Sequence, residues 1–524
     1  MKRMILVLVI LLMTTAMVFA GGGQSSTSTG GPTRISVEVF DRGSDGGRSQ
    51  ANNNAWTNWI QQKVLKDLNI EVTFVPVGRW SEDTDIVNLM ASNSAPDLCY
   101  TYNEAMITQF SQMGGILDLA PYIDSLLPDF KKLLGEDTAI PGQDFIYRNR
   151  ETATGRIYSV RSVVVNAGGQ RNVFIRKDWL DRLGLAVPRT AQEFYNALVA
   201  FRDRDPGNVG RNRVVPYGQD SDARWGLASI INTYINASSE RELWINRFGD
   251  TPVSAPGYKE GVRLMNRWYN EGLIYHDFPL MRVADDYHNM LKSGVVGAFS
   301  GNMDIVYRTD YNINVELAQN VPGAEFVPVD YPGTKDASDK AGLYIFVPSS
   351  SRNPEAALRY LNWLSINENY NFLQIGNVGV NHEIVNGVPR VLSTPAGHAW
   401  FQNSQYNIDY TLPLNGIQLG NTELNSRVVA QAYGNIPADT IINAITIANR
   451  NSRAQPVNPG VVVTTLGTYG QTLRDKGDAL LAQSITASVA NFDRVWDAGY
   501  QDWLSSGGQA VLDERATLWP ANRR

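Results

Sequence analysis

The 34 residues from Asn172 to Asp205 constrain the chain more than any other stretch. Val173, Phe174 and Ile175 form a short apolar strand. Trp179, Leu180 and Leu183 put an apolar stripe on the turn that follows, and Gly184 stands where a helix ends in a left-handed glycine. Thr190 and Glu193 then make a capping-box pair, and Phe194, Leu198 and Phe201 share one face of a second helix. Every local signal in the stretch agrees on a capped strand–helix–helix unit.

The N-terminus has a different logic. Lys2 and Arg3 precede an unbroken apolar run from Met4 to Met13, and Val18-Phe19-Ala20 is a small-x-small cleavage site. Residues 1–20 therefore read as a secretory signal peptide, too short in its apolar core for a membrane span. Residues 21–33 are rich in Gly, Ser and Thr and read as a flexible leader. The sole cysteine, Cys99, can form no intrachain disulfide and lies far from the cleavage site. The expected product is a soluble periplasmic or secreted protein with no lipid anchor. A formal net charge of −6, without a dense run of Lys and Arg, disfavours a nucleic-acid or anionic-membrane partner.

Between Ile35 and Tyr102 the pattern is strand, helix, strand, helix, strand: 35–40, 52–68, 71–75, 81–91 and 97–102. That order calls for an α/β fold with a covered parallel sheet. Ligands in such sheets bind beyond the C-terminal strand ends. Tyr100, Tyr102 and Asn103 fall there.

An ordered set of segments then carries a resemblance. It comprises A-P-D-L (95–98), G-G-I-L-D-L-A-P-Y-I (114–123), T-G-R-I-Y-S-V (154–160) and I-R-K-D-W-L-D-R-L-G-L-A-V-P-R-T-A-Q-E-F (175–194). Y-K-E-G-V-R-L-M-N-R-W-Y-N-E-G-L-I (258–274), N-P-E-A-A-L-R-Y-L-N-W-L (353–364) and N-F-D-R-V-W-D-A-G-Y-Q-D-W-L-S-S-G-G (491–508) continue it. Together they resemble the extracellular solute-binding proteins of bacterial ABC importers, in the large oligosaccharide-binding branch of the LplA-type lipoproteins and alginate-binding proteins. The resemblance implies two α/β lobes of the type II periplasmic-binding-protein kind, a hinge, and a sugar in the cleft. It implies importer permease subunits as partners of a monomer. Crossings near Val163, Val327 and Ile375 would give a first lobe of 34–163 plus 327–375 and a second of 164–326 plus 376–524.

Members of that branch often carry a calcium loop after the capped helix. Here Asp203, Asp205 and Asn208 are followed by Arg211, Asn212 and Arg213, which puts cations where the closing carboxylates belong. A solvated loop is the expectation, with no metal and no cofactor.

Sugar sites combine aromatic faces with planar polar groups. Tyr217, Asp222, Arg224 and Trp225, in a glycine-bearing polar loop, are the first candidates. Asn302 and Asp304 follow a strand-like segment, Asn381 and His382 form a third group, and Trp400 and Tyr406 a fourth, with Tyr102 from the first lobe. Arg224 is the preferred partner for a uronate. Trp268, Trp363, Trp496 and Trp503 stand at helical spacing and read as core. No nucleophile elbow or P-loop occurs, and His382-Glu383 lacks the second histidine of a zinc motif because residue 386 is Asn. The expectation is a binding protein, not an enzyme. A carbohydrate sensor or adhesin and a secreted glycosidase are the alternatives.

Overall fold

The computed structural model describes residues 31–519 apart from 43–49, 135–148, 152, 165–167, 170, 250, 282–284, 310, 339–340, 393–407, 416–417, 435 and 455–460. The signal peptide, most of the leader, Trp400 and Tyr406 lie outside the described residues.

The first lobe begins with β1 (Thr33–Asp41) and β2 (Ile70–Gly78), parallel from Thr33–Ile70 to Asp41–Gly78. The crossover helix α1 (Ala55–Leu68) starts at Asn54, whose side chain accepts from the Trp56 and Thr57 amides while Thr57 returns a bond to the Asn54 amide. Its spacing-four residues Trp56, Ile60 and Val64 are all buried. Helix α2 (Glu82–Ala91) leads to β3 (Cys99–Thr101), which joins β1 through a parallel bridge from Val37 to Leu98. Helix α3 (Glu104–Gln112) follows, capped by Asn103. The strands Val160–Val164 and Ala341–Phe346 extend this layer antiparallel to each other, and Pro354–Leu364 covers it with Trp363 buried.

The second lobe is built on β4 (Arg171–Arg176), β5 (Val215–Tyr217) and β6 (Val296–Asn302). Strand β6 lies between the other two, parallel to β5 and antiparallel to β4. Helices α4 (Lys177–Leu183) and α5 (Ala191–Arg204) form as the local signals predict. Gly184 has φ +66°, and Thr190 and Glu193 exchange both capping-box bonds. Trp179, Phe194, Leu198 and Phe201 are fully enclosed, as are Trp268, Trp496 and Trp503 farther along. Arg176 is enclosed too: Asp178 pairs with it at 2.8 Å and the Gly294 carbonyl accepts from its Nη1, so its ion pair lies in the core and not on the surface.

Two main hydrophobic cores divide the chain, and it passes between them three times. At these passages Gly168–Gly169, Lys335–Ser338 and Ser452–Ala454 pair into one three-stranded sheet. The expected second and third crossings are corrected by this packing. Phe326–Val329 pairs with β4 and so belongs to the second lobe. Tyr410, Leu412, Leu414, Val428 and Tyr433 lie in the first core, so the last passage falls near Ser452 and not at Ile375. Helix α6 (Ala438–Asn449) leads into it, and α7 (Thr464–Thr486) then returns to the second core with Leu473, Leu480, Leu481 and Ile485 buried.

Candidate ligand-binding site

Parallel pairing of β5 with β6 puts their C-terminal ends side by side, so the loops 217–225 and 300–304 leave the sheet together. Arg171, the first residue of β4, pairs in register with Asn302 at the same edge. The loop residues nevertheless differ in what they offer. Tyr217 is fully enclosed, its ring 6.3 Å from that of Trp268 and its hydroxyl donating to the Gly226 carbonyl. It is a core residue, corrected from a stacking candidate, because its ring packs against Phe194 and Trp268 in the second core. Trp225 is 45% exposed. Arg224 pairs with Asp222 at 3.0 Å and with Asp478 of α7 at 3.2 Å. Ser221, Asp222, Ala223 and Arg224 line a cleft of about 260 Å³ with Asp478 and Leu481. Beside them Asp220 is pushed up to about 6 by burial.

Asp304 accepts from Arg308 at 2.8 Å and from the Tyr433 hydroxyl at 2.8 Å, which ties the 300–304 loop to the helix Thr422–Ala432 that packs on the first core. In this arrangement each of its oxygens has a protein partner. Asn381 and His382 are buried. Asn381 accepts from the Asn377 amide at 2.9 Å, and the His382 ring meets the Ile375 carbonyl at 2.9 Å. They hold their own loop together, and burial lowers the His382 pKa.

The first lobe presents a matching group that sequence reasoning passed over. Past the end of β2, the Arg79 guanidinium lies 4.7 Å from the Tyr102 ring centroid, 5.2 Å from Phe40 and 5.0 Å from Trp80. Glu82 pairs with Arg79 at 2.7 Å. Trp80 is 66% exposed. Arg42 and Asp409 form a bidentate pair at 2.7 Å nearby, and burial raises the Asp409 pKa against the pull of Arg42. The signal was in the sequence: an Arg-Trp dipeptide stands just past a strand end at 79–80, and a second Arg-Trp at 224–225 follows the loop after β5.

Helix α7 fixes the two groups relative to each other. Arg474 pairs with Asp83 of the first lobe at 3.1 Å, and Asp478 pairs with Arg224 of the second. One turn separates the two anchors, about 6 Å along the helix. The same helix packs closely on α3: a Cβ at Gly470 would lie 2.8 Å from that of Ala105, and the Gln112 side chain donates to the Thr464 carbonyl.

The loop after α5 is closed by protein groups. Asp205 accepts from the Val209 and Gly210 amides at 3.0 and 2.8 Å, and Asp203 pairs with Arg202 at 2.7 Å. Among the described residues no cluster of three or more His, Cys, Asp or Glu is arranged to hold a metal ion.

Two α/β lobes, each carrying an Arg-Trp group on the loops beyond its strands, define a two-lobed α/β fold. The description of bacterial extracellular solute-binding proteins matches residues 50–370, and the chain belongs to that family. It is 22% identical over 334 residues to the polygalacturonan/rhamnogalacturonan-binding protein YtcQ of Bacillus subtilis (strain 168), a match covering 61% of this chain and 62% of that protein. To the fructooligosaccharide ABC transporter substrate-binding protein FusA of Streptococcus pneumoniae it is 25% identical over 229 residues, 41% of each chain. The matched segment thus spans under two thirds of these relatives. The fold is similar along nearly the whole length to the crystal structure of alginate-binding protein AlgQ2 without calcium ion, with a TM-score of 0.67, 18% identity and coverage of 93% of this chain and 98% of that one.

Proposed function

We propose that this protein captures an oligosaccharide between its lobes and delivers it to the permease of an ABC importer, acting as a monomer and doing no chemistry on the sugar. The observation that carries the reading is the pair of exposed tryptophans, Trp80 just past β2 and Trp225 in the short helix after the loop that leaves β5, each beside an arginine and each tied to α7 through a near neighbour. Exposed indole faces of this kind suit the apolar faces of pyranose rings, and the arginine and carboxylate groups suit hydroxyls. The names of the relatives and of the similar structure, for polygalacturonan/rhamnogalacturonan, fructooligosaccharide and alginate, support a sugar over a peptide or an ion.

The three-stranded sheet of Gly168–Gly169, Lys335–Ser338 and Ser452–Ala454 is the hinge in this reading, and closure is a population shift driven by better contacts in the closed state. The lobes are 33–164 with 341–433, and 171–331 with 461–519. The family is described as extracellular, and we place this member outside the cytoplasmic membrane as well. Among the described residues no helix is long and apolar enough to cross a membrane. Cys99 is buried in β3, which supports the reading of a member without a lipid anchor. Calorimetric titration with neutral and acidic oligosaccharides tests the reading. Saturable 1:1 binding without cleavage supports it, and release of shortened sugars would transfer the protein to the glycosidases.

A further inference from the structure

Resting on the oligosaccharide reading above, we propose that Arg171 and Trp225 form a subsite for an acidic sugar residue, a uronate whose carboxylate pairs with the Arg171 guanidinium.

Arg171 is a part-buried arginine with no counter-ion among the described residues, unlike Arg42 and Arg176. Arg42 has Asp409 and Arg176 has Asp178, each in a two-point pair. Among the described residues no carboxylate lies within ion-pair distance of Arg171. Among those residues its one hydrogen bond is a long one, from Nη1 to the Asn302 side-chain oxygen at 3.5 Å, and its Nε is buried with no acceptor there. The acids of the neighbouring loops are engaged elsewhere. Asp220 accepts from the Asp222 amide and the Gln219 side chain, Asp222 from Arg224, and Asp304 from Arg308 and Tyr433. A cation withdrawn from water without a partner is costly, and here burial lowers its pKa.

The place of this cation shows what would satisfy it. Arg171 opens β4 opposite Asn302, at the sheet edge from which both candidate loops leave. Its guanidinium lies over the Trp225 ring at 5.7 Å from the centroid, and Trp225 is the exposed aromatic of that edge. A sugar ring against the indole therefore brings a ring carboxylate within reach of a free donor. A guanidinium fork fits a carboxylate in two-point geometry, which a hydroxyl cannot match. Arg224, the sequence favourite for this role, already has Asp222 and Asp478. Anion selectivity falls to Arg171.

The test uses calorimetry on the mature protein with tri-uronates of galacturonic, mannuronic and guluronic acid, their uncharged methyl esters, and neutral oligosaccharides. At least one tri-uronate should bind about tenfold or more tighter than its ester, with an affinity that falls as salt rises. Arg171→Gln should erase that preference while leaving ester affinity within about twofold, and Arg171→Lys should keep part of it. The melting temperature of ligand-free Arg171→Gln should equal or exceed that of the parent, because an unpaired charge has been removed; a clear fall would make Arg171 a structural residue and overturn the inference. Neutral sugars that bind while uronates do not, or an Arg171→Gln variant with the parent's preference, would also overturn it and leave the proposed function standing. A protein that binds none of the sugars would sink both.

Discussion

Arg474 and Asp478 stand one turn apart on α7 and reach to opposite lobes, Arg474 to Asp83 at 3.1 Å and Asp478 to Arg224 at 3.2 Å. A single helix thereby sets the spacing of the two Arg-Trp groups. The Arg474–Asp83 pair is partly exposed, so its loss should cost the fold no more than about 1 kcal/mol. Its effect should appear in lobe geometry. Ligand-free Arg474→Ala should show a larger radius of gyration in small-angle scattering, and saturating ligand should restore the parent value. An unchanged radius would mean that α7 does not couple the lobes through this pair.

Trp80 and Trp225 give a second prediction. Both are exposed, so replacement by alanine should leave the melting temperature nearly unchanged while weakening sugar binding by about 1.5–3 kcal/mol each, the range for burying an aromatic face. Trp268→Ala, in the enclosed core, should do the opposite and destabilise the fold by about 3–5 kcal/mol. Thermal unfolding and calorimetry on the same samples separate the two behaviours.

These tryptophans also show how far the sequence could be read. Residues 172–205 fold as their capping and periodicity demand, because every local signal there agrees with the burial that follows. Trp268, Trp363, Trp496 and Trp503 were legible as core for the same reason. Tyr217 was not, since a polar loop follows it directly and only the assembled second core shows its ring enclosed. Arg171 reads in sequence as an ordinary basic residue before a strand; its lack of a counter-ion is a property of the assembled edge. The last passage between lobes was hidden as well, because apolar patterns at 408–433 fit either core equally well.

The hinge sheet supplies a third prediction. Gly169 packs so tightly that a Cβ there would lie 1.7 Å from the Ala448 carbonyl oxygen, while its amide donates to the Asn449 side chain. Gly169→Ala must displace the end of α6. Overpacking of this kind costs about 1–3 kcal/mol, measurable as a lower urea midpoint. A midpoint equal to the parent's would contradict the packing described for the hinge.

Asp220 makes stability depend on pH. Its folded pKa, about 6, lies above the usual carboxylate value because of burial, so the unfolded chain loses this proton first. Its contribution to stability therefore falls as pH rises from about 4 to 6 and stays low above that. Asp220→Asn should raise the melting temperature at pH 7.5 and change it little at pH 4. An equal effect at both values would contradict the assignment.

The loop after α5 predicts indifference to calcium. Asp205 holds the Val209 and Gly210 amides and Asp203 holds Arg202, so neither chelator nor added calcium should move the melting temperature by more than about 1 °C, the shift expected without linked binding. A calcium-dependent rise of several degrees would show that the ion displaces these contacts.

The central claim is that an oligosaccharide is held between the lobes by groups from both. Calorimetric titration of the parent, Trp80→Ala and Trp225→Ala with the same sugar tests this most directly. The account predicts 1:1 binding by the parent and a loss of about tenfold or more in each variant, although the two tryptophans belong to different lobes. Undiminished binding by either variant would contradict it.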